Sequence, residues 1–309
     1  MLQWILRAVV SAAVVAALVT MASTDGLREA FSQVRATMWL AILAVFLTGH
    51  ALNAWKYQRL LQDPHASLAV CLRAHFAGLV ANLGLPGVAG GDVVRATYLL
   101  PHGVRPKAAT VASVIDRLID TLTLLGLVGA GVLVAGMPPA LDGAAIGVRW
   151  PILIAAGLAV GGVAAYLLVT RRRGSGAGLA SGLVGEVRAR GPAIAIAFAV
   201  TTLVQSAFVL SNVWMAGALG LDIGIAPWFM AWPLSKIISI LPISLGGIGV
   251  REAALVSLLG PYGAPSAVVF ASGLLWQGVL ITSGLLGLAV GAALGPARSS
   301  VPSAPVPRS

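Results

Sequence analysis

The sequence has 309 residues, of which 58% are hydrophobic and 10% are charged. Soluble domains carry about 25% charged residues, so this composition excludes a soluble globular protein and indicates an integral membrane protein. The formal net charge is +10, but the basic residues lie in short segments between apolar runs, where membrane topology and anionic lipids account for them. We therefore expect no nucleic-acid partner.

Apolar runs of about 20 residues recur along the chain, and a helix of that length crosses about 30 Å of hydrocarbon. Helices also satisfy their own backbone hydrogen bonds where water is absent. The sequence thus predicts an all-α, polytopic fold with six full spans, at about 3–22, 38–61, 107–136, 150–170, 192–219 and 264–294. Two further segments, at about 70–100 and 226–260, are interrupted and are predicted to form broken, re-entrant hairpins.

The distribution of charge along the loops predicts the orientation of these spans. One loop is flanked by Lys56, Arg59 and Arg73, and another contains Arg171, Arg172, Arg173, Arg188 and Arg190. Because lysine and arginine accumulate in cytoplasmic loops, both loops and both termini are expected on the cytoplasmic side of the cell membrane. We expect one membrane domain over residues 1–295 and a disordered cytoplasmic tail, rich in Pro and Ser, over residues 296–309. The single cysteine, Cys71, is expected to be a packing residue.

Both interrupted segments contain the same motif, Leu-Pro-x-x-x-Gly-Gly-x-x-x-Arg. It reads "LPGVAGGDVVR" at residues 85–95 and "LPISLGGIGVR" at residues 241–251. Three predicted full spans lie between the two copies, and an odd number of crossings gives the copies opposite orientations. The sequence therefore predicts an inverted repeat with discontinuous helices, which is typical of secondary transporters.

Helix-breaking residues occupy equivalent positions in the two copies. Each copy has a proline that is expected to end one half-helix and a glycine pair that permits a tight reversal before the next half-helix. These residues are Pro86, Gly90 and Gly91 in the first copy, and Pro242, Gly246 and Gly247 in the second. The second half-helix would then begin with unpaired N–H groups, which attract anions.

Each motif ends in an arginine, Arg95 or Arg251, about one helical turn after the second glycine. Each guanidinium group could join the free N–H groups around a lipid phosphate. The alternative is a structural role, in which Arg95 pairs with Asp92, Arg251 pairs with Glu252, and the glycines permit close helix packing. A charge at the centre of a bilayer costs about 3 kcal/mol or more, which favours a functional role.

Other polar residues lie within predicted membrane segments. Asp116 and Asp120 share one face of the third long span, beside Arg117, and would pair with a motif arginine, bind an amine headgroup, or form an ion pair that fixes helix packing. Lys236 is a candidate headgroup contact that could instead extend to the interface. His50 and Asn53 are expected to form hydrogen bonds between helices rather than bind substrate or metal.

Three segments resemble those of a known family: "ISILPISLGGIGVREAALVSLL", "NLGLPGVAGGDVVRATYLL" and "VIDRLIDTLTLLGL". They are similar to the transmembrane-domain family of lysylphosphatidylglycerol synthases, also called flippase-like domain proteins. The most specific part runs from Pro242 through Gly249 to Glu252. The segment from Asp116 to Asp120 resembles the family's acidic-Arg-x-x-Asp helix, with Asp116 in place of the more usual glutamate. The resemblance implies movement of lipid headgroups across the bilayer, without the soluble aminoacyl-transferase domain of the bifunctional members.

The expected function is that of a lipid flippase or transporter for a phospholipid or lipid-linked headgroup. The partners expected are membrane lipids: an anionic or aminoacylated phospholipid, or a polyprenyl-linked lipid. Two alternatives remain open, an intramembrane lipid-modifying transferase and a membrane partner subunit of a lipid or glycan synthase. The sequence has no His-Glu-x-x-His, Gly-x-Ser-x-Gly or P-loop motif, so no catalytic residue, cofactor or metal is expected. The predicted headgroup site consists of Pro86, Gly90, Gly91, Asp92, Arg95, Asp116, Arg117, Asp120, Lys236, Pro242, Gly246, Gly247, Gly249, Arg251 and Glu252.

Overall fold

A computed structural model describes Ser32 and residues 34–84, 89–136, 189–239 and 249–293. The regular secondary structure of these residues is entirely helical. Its eight α-helices are α1 (Ala36–Leu61), α2 (Leu68–Gly84), α3 (Ala89–Leu99), α4 (Pro106–Ala135), α5 (Gly191–Ala218), α6 (Ala226–Ile238), α7 (Val250–Leu259) and α8 (Ser266–Ala293).

Four of these helices, α1, α4, α5 and α8, are long and apolar enough to cross a membrane. They coincide with four of the predicted spans to within about two residues at each end. The predicted spans at 3–22 and 150–170 and the predicted tail at 296–309 lie outside the described residues. The two interrupted segments are present as helix pairs, α2 with α3 and α6 with α7.

The α2–α3 hairpin begins and ends at one end of the helical bundle. The Asp63 carboxylate, just after α1, accepts hydrogen bonds from the Arg105 backbone N–H at 3.2 Å and from Arg105 Nε at 2.9 Å, just before α4. Arg190 Nε, just before α5, donates to the Leu60 carbonyl at 3.2 Å. The C-terminal end of α1 and the N-terminal ends of α4 and α5 therefore lie together, and we call this the Asp63 end.

The α6–α7 hairpin begins and ends at the opposite end of the bundle. The Tyr262 hydroxyl, in the turn between α7 and α8, donates to the carbonyl of Gly136 at 3.0 Å, just after the C-terminal end of α4. Helix α6 follows the C-terminal end of α5 by a short loop. Because α4 and α5 both start at the Asp63 end, their C-terminal ends define the other end, which we call the Tyr262 end.

The two hairpins lead into their following long helices through the same local structure. A 3₁₀ turn follows α3 at Leu100–His102 and α7 at Gly260–Tyr262. Each turn is terminated by a glycine in the left-handed region, Gly103 at φ 86° and Gly263 at φ 83°. L-residues with a side chain adopt this conformation at a cost, so glycine is the favoured residue at both positions.

Close contacts between glycines and backbone hold the half-helices in place. A Cβ atom added at Gly91 on α3 would overlap the carbonyl oxygen of Gly78 on α2, and one added at Gly131 on α4 would overlap the backbone of Met230 on α6. Small residues of this kind allow helix backbones to approach closely in membranes, where dispersion contacts drive helix association. Cys71 is fully buried within a cluster of apolar side chains, as predicted.

Candidate functional site

A cavity of about 210 Å³ lies between the two hairpins and the long helices. Asp116, in its wall, is ten residues into α4, which places it about 15 Å along that helix from the Asp63 end. The cavity therefore lies in the interior of the apolar bundle. Its polar lining residues are His50, Asn53, Lys56, His75, Asn82, Asp92, Arg95, Asp116, Arg117, Asp120, Gln205, Lys236, Ser239 and Arg251.

The charges on the cavity wall are mostly basic. Among the described residues, five basic side chains line it, from α1, α3, α4, α6 and α7: Lys56, Arg95, Arg117, Lys236 and Arg251. Three carboxylates line it as well, those of Asp92, Asp116 and Asp120. Glu252 pairs with Arg251 beside the cavity. The wall thus carries more positive than negative charge.

Arg95 contacts carboxylates from two helices. Its Nη2 atom lies 2.8 Å from Asp116 Oδ2 on α4 and 3.4 Å from Asp92 Oδ1 on its own helix. The guanidinium group also stacks over the Tyr57 ring, 3.7 Å from its centroid. The pair with Asp92, which the structural alternative predicted, is present, and a second pair links Asp116 on α4 to the first hairpin.

Lys56 belongs to this cluster, although the sequence placed it beside a loop. Its residue exposure is only 1%, and its Nζ atom lies 3.2 Å from Asp116 and 2.6 Å from Asp120. It also donates to Thr201 Oγ1 on α5 at 2.6 Å. The interpretation of Lys56 as a loop-flanking residue is therefore wrong, because its face of α1 points into the bundle.

Arg251 has mainly uncharged partners on neighbouring helices. It pairs with Glu252, the next residue of α7, as the structural alternative predicted. Its Nη2 atom also lies 3.2 Å from Gln277 Oε1 on α8, and its guanidinium group stacks 4.3 Å from the Trp276 ring centroid. Glu252 Oε2 accepts a hydrogen bond from the Gly249 N–H at 2.8 Å, so the carboxylate already occupies the start of α7.

Lys236, in the last turn of α6, also faces the cavity. Its Nζ atom donates to Gln205 Oε1 at 3.1 Å and lies 5.2 Å from the Trp232 ring centroid. Among the described residues, no carboxylate lies within ion-pair distance of this ammonium group. Lys236 therefore differs from Lys56, Arg95 and Arg251, each of which has a carboxylate partner.

Asp92 and Arg117 form a further ion pair at the cavity wall, between α3 and α4. Asp92 is thus shared between Arg95 on its own helix and Arg117 on the next. Asp92 and Arg95 of the first motif therefore come together in one network with the charged residues of the acidic helix. Among the described residues, no group of three or more His, Cys, Asp or Glu side chains could hold a metal ion.

The predicted role of the first glycine pair is wrong. Gly90 and Gly91 lie in the first turn of α3 rather than in a reversal. Gly91 is required for close approach to α2, and its N–H donates to Asn82 Oδ1 at 2.7 Å, so it is not a free donor for phosphate. Pro86, Pro242, Gly246 and Gly247 lie outside the described residues, and Gly249 precedes α7 with φ 86°.

Two histidines meet across the cavity wall, as the sequence predicted for His50. His50 Nδ1 on α1 lies 3.2 Å from His75 Nε2 on α2. Sequence reasoning did not identify His75 or Gln205 as site residues. A usable signal exists on α1, where His50, Asn53, Lys56 and Tyr57 recur at helical spacing and form a polar stripe.

Comparison with known families gives the same assignment as the motifs. Residues 4–287 match the sequence profile of the family described as the lysylphosphatidylglycerol synthase TM region. The chain belongs to this family. A comparison with curated protein sequences gives no significant match.

Membership in this family has functional consequences. It indicates a membrane protein tied to lipid biosynthesis or transport, and membrane phospholipids as its partners. The four long apolar helices agree with a membrane location. The charged cavity among these helices is therefore the candidate site for a lipid headgroup.

Proposed function

We propose that the protein moves a phospholipid with an anionic headgroup between the two leaflets of the cell membrane. One observation carries this proposal. The two hairpins enter from opposite ends of the bundle, yet Arg95 and Arg251 line the same cavity. A site reached by half-helices from both ends can open to either leaflet by small movements of one half against the other.

The size and charge of the cavity favour a headgroup over a whole lipid. Ligand sites for drug-sized molecules have volumes of about 300–1,000 Å³, so a cavity of about 210 Å³ suits a phosphate with a small substituent, while the acyl chains stay in the bilayer. Removing a phosphate from water is costly. Charge-assisted hydrogen bonds, each contributing about 1.5–3 kcal/mol, would offset part of that cost.

Lys236 is the residue through which an anion would first be bound. Arg95 and Arg251 already have carboxylate partners, whereas the Lys236 ammonium group is held by the neutral Gln205 side chain. An entering phosphate would therefore pair with Lys236 without displacing a carboxylate. The motif arginines would join it by exchanging Asp92 or Glu252 for phosphate oxygens.

Lipid translocation in reconstituted vesicles tests this proposal. A fluorescent phosphatidylglycerol should reach the opposite leaflet faster in vesicles with the protein than in protein-free vesicles. Lys236→Gln should reduce that rate at least tenfold, and Arg251→Ala should also impair it. Arg59→Gln is the matched control, since Arg59 is exposed near the end of the same bundle and stacks on Trp55 outside the cavity. Translocation by well-folded Lys236→Gln at the parent rate would contradict the proposal.

The same proposal includes an inverted repeat, six full spans and cytoplasmic termini, with the Asp63 end on the cytoplasmic side. Single cysteines introduced into a Cys71→Ala background test this orientation. Ser67→Cys, at the Asp63 end, should resist an impermeant thiol reagent added to intact cells, whereas Asp222→Cys, at the Tyr262 end, should react. Reaction of both positions from the same side would overturn the inverted arrangement.

We further propose that the protein has no transferase activity of its own. A carboxylate can act as a general base only while it is free to accept a proton, but Asp116, Asp120 and Glu252 are each paired with a basic side chain. Purified protein incubated with phosphatidylglycerol and candidate activated donors should yield no modified lipid in mass spectrometry. Product that disappears in an Asp116→Asn variant would instead establish an intramembrane transferase.

A further inference from the structure

The histidine pair in the cavity wall has a hydrogen-bonding capacity that its contacts do not use. His50 Nδ1 and His75 Nε2 share one hydrogen bond at 3.2 Å. His50 is buried, with 5% of its surface exposed, and its Nε2 atom has no hydrogen-bond partner. Both residues line the cavity. Ionisable groups inside a membrane bundle are expensive and often serve as proton-binding sites in transporters.

The number of protons on the pair follows from imidazole chemistry. Each neutral ring has one N–H group and one lone pair. The inter-ring hydrogen bond uses one of each, which leaves one N–H and one lone pair on the two outer nitrogens, whichever tautomers are present. The pair can therefore accept one additional proton, and its charge would change from zero to +1.

The surroundings of the pair oppose that proton while the cavity is empty. Basic groups face the cavity from five helices: Lys56 on α1, Arg95 on α3, Arg117 on α4, Lys236 on α6 and Arg251 on α7. The opposing carboxylates are Asp92, Asp116 and Asp120 at the wall and Glu252 beside it, and each is already paired with a basic side chain. A sixth positive charge in this buried space would be repelled. An anionic headgroup would remove that repulsion by adding negative charge.

We infer that the His50–His75 pair binds one proton together with each anionic headgroup that enters the cavity. This inference rests on the proposed function, and it adds an energy source. A proton and an anion that bind together cross together, so a proton gradient would drive the lipid in the direction in which protons flow. The proton and the anionic headgroup together carry little net charge, which also lowers the cost of moving a phosphate through the bundle.

Thermodynamic linkage makes this inference quantitative. If binding of the anion takes up one proton, the anion's dissociation constant rises about tenfold for each pH unit above the range in which the pair is protonated. The effect is reciprocal, so the bound anion favours protonation as much as the proton favours the anion. A zwitterionic headgroup brings no net charge and should show little of this dependence.

The experiment measures binding of short-chain lipids to the purified full-length protein in detergent. Dihexanoylphosphatidylglycerol is the anionic probe, and dihexanoylphosphatidylcholine is the zwitterionic control. The dissociation constant of the anionic probe is measured by titration calorimetry between pH 5 and pH 8.5. For the parent protein it should rise about tenfold per pH unit over part of this range. Calorimetry in two buffers of different ionisation enthalpy should give uptake of about one proton per lipid bound.

Matched histidine variants identify the site. His50→Gln with His75→Gln retains hydrogen-bonding groups but cannot take up a proton, so anion binding should lose its pH dependence between pH 5 and pH 7. The single His75→Gln variant retains the His50 ring, so it should weaken the pH dependence rather than abolish it, and it guards against misfolding of the double variant. His65→Gln and His102→Gln, which lie in the loop and turn that flank the first hairpin at the Asp63 end, should retain the parent pH dependence.

The outcomes separate this inference from the proposed function. The inference would be overturned if the parent protein binds the anionic probe without taking up a proton. It would also be overturned if the well-folded double variant and the single His75→Gln variant keep the parent pH dependence. Either result would leave the headgroup site intact. Failure of the parent protein to bind either probe would overturn the proposed function and the inference together. Loss of pH dependence in the His50 and His75 variants, but not in the His65 and His102 variants, would support the inference.

Discussion

Arg95 and Arg251 occupy equivalent motif positions, but their electrostatic surroundings differ. Each stacks on an aromatic ring, Tyr57 or Trp276. The carboxylates around Arg95 come from α3 and α4, and Asp116 is shared with Lys56 on α1. Arg251 has a carboxylate only from its own helix among the described residues, and its partners on α8 are an amide oxygen and a carbonyl oxygen.

This difference indicates that Arg95 is held more firmly between helices than Arg251. The Arg95 network ties three helices together by charge, so movement of any of them separates buried ion pairs. Arg251 can move relative to α8 at the cost of hydrogen bonds to neutral acceptors, which individually contribute about 1.5–3 kcal/mol, without separating an ion pair between helices. We therefore expect stability to depend more strongly on the first hairpin and ligand-linked movement to depend more strongly on the second.

The largest effect is expected for Asp116→Asn. This change removes the carboxylate shared by Lys56 and Arg95 and leaves excess buried positive charge. Breaking a buried ion pair costs about 3–5 kcal/mol, so the unfolding midpoint in detergent should fall sharply. The double variant Asp116→Asn with Lys56→Met removes both charges and should regain much of the lost stability. A single variant as stable as the parent would show that the network does not hold the first hairpin.

Gly91→Ala should have the next largest effect. Its Cβ atom would overlap the Gly78 carbonyl and the Asn82 side chain, so α2 and α3 would have to separate. Overpacking of this kind costs about 1–3 kcal/mol. Gly126→Ala on α4 is the matched control, because a Cβ there meets nothing within 4 Å. Equal unfolding midpoints for the two variants would contradict the close contact between α2 and α3.

A smaller loss of stability is expected for Glu252→Gln at the second motif. The glutamine can still accept a hydrogen bond from the Gly249 N–H, and Arg251 keeps its contacts with α8. The cost should be about 1–3 kcal/mol, below that of Asp116→Asn, as measured by thermal unfolding under the same conditions. If Glu252→Gln is the more destabilising of the two, the proposed contrast between the hairpins is reversed.

The smallest effect on stability is expected for Asp63→Asn, in the loop after α1, and this effect depends on pH. Burial alone would raise the pKa of Asp63, but hydrogen bonds from Arg105 and His65 outweigh it and lower the pKa to about 2. A carboxylate whose pKa is lowered in the folded state stabilises the fold at pH values above the pKa of the unfolded state, 3.8. This stability is lost as the pH falls towards 2.

Asp63→Asn should therefore be less stable than the parent by about 1–2 kcal/mol at pH 6, and the difference should shrink as the pH is lowered from 4 towards 2. Unfolding midpoints of both proteins across this range give the measurement. At the Tyr262 end the corresponding connection is the hydrogen bond from the Tyr262 hydroxyl to the Gly136 carbonyl. Burial raises the pKa of Tyr262, so its hydroxyl stays neutral over this range. A Tyr262→Phe variant should thus show no change in its stability deficit over the same acidic range.

Much of the described fold follows from the sequence because the length of an apolar run fixes the length of a membrane helix. The ends of α1, α4, α5 and α8 were predicted closely for this reason. The positions of the two breaks followed from the repeated motif, which interrupts both short segments. The detailed function of the glycines did not follow, since Gly91 serves contact with Gly78 and Asn82, residues that the motif does not contain.

The site was predictable where its partners lie close in sequence, and the pairing of Asp116 with a motif arginine was also among the possibilities stated for the acidic helix. The pairs of Arg95 with Asp92 and of Arg251 with Glu252 are local and were anticipated. Lys56 and His75 contact residues on other helices, and their roles depend on how the helices pack. A run of polar residues at helical spacing could have indicated the inward face of α1, but no local pattern identifies the partner helix.

The positions of these ion pairs along the chain also determine the order in which the charges are neutralised during synthesis. Glu252 follows Arg251 directly, so the second motif arginine enters the membrane with its counter-ion attached. Asp116 follows Arg95 by 21 residues. At about 5–20 residues per second, the ribosome needs roughly one to four seconds to supply it. During that interval Asp92, three residues before Arg95, is the acid within reach, and the first hairpin acquires its full set of ion pairs only when α4 has been made.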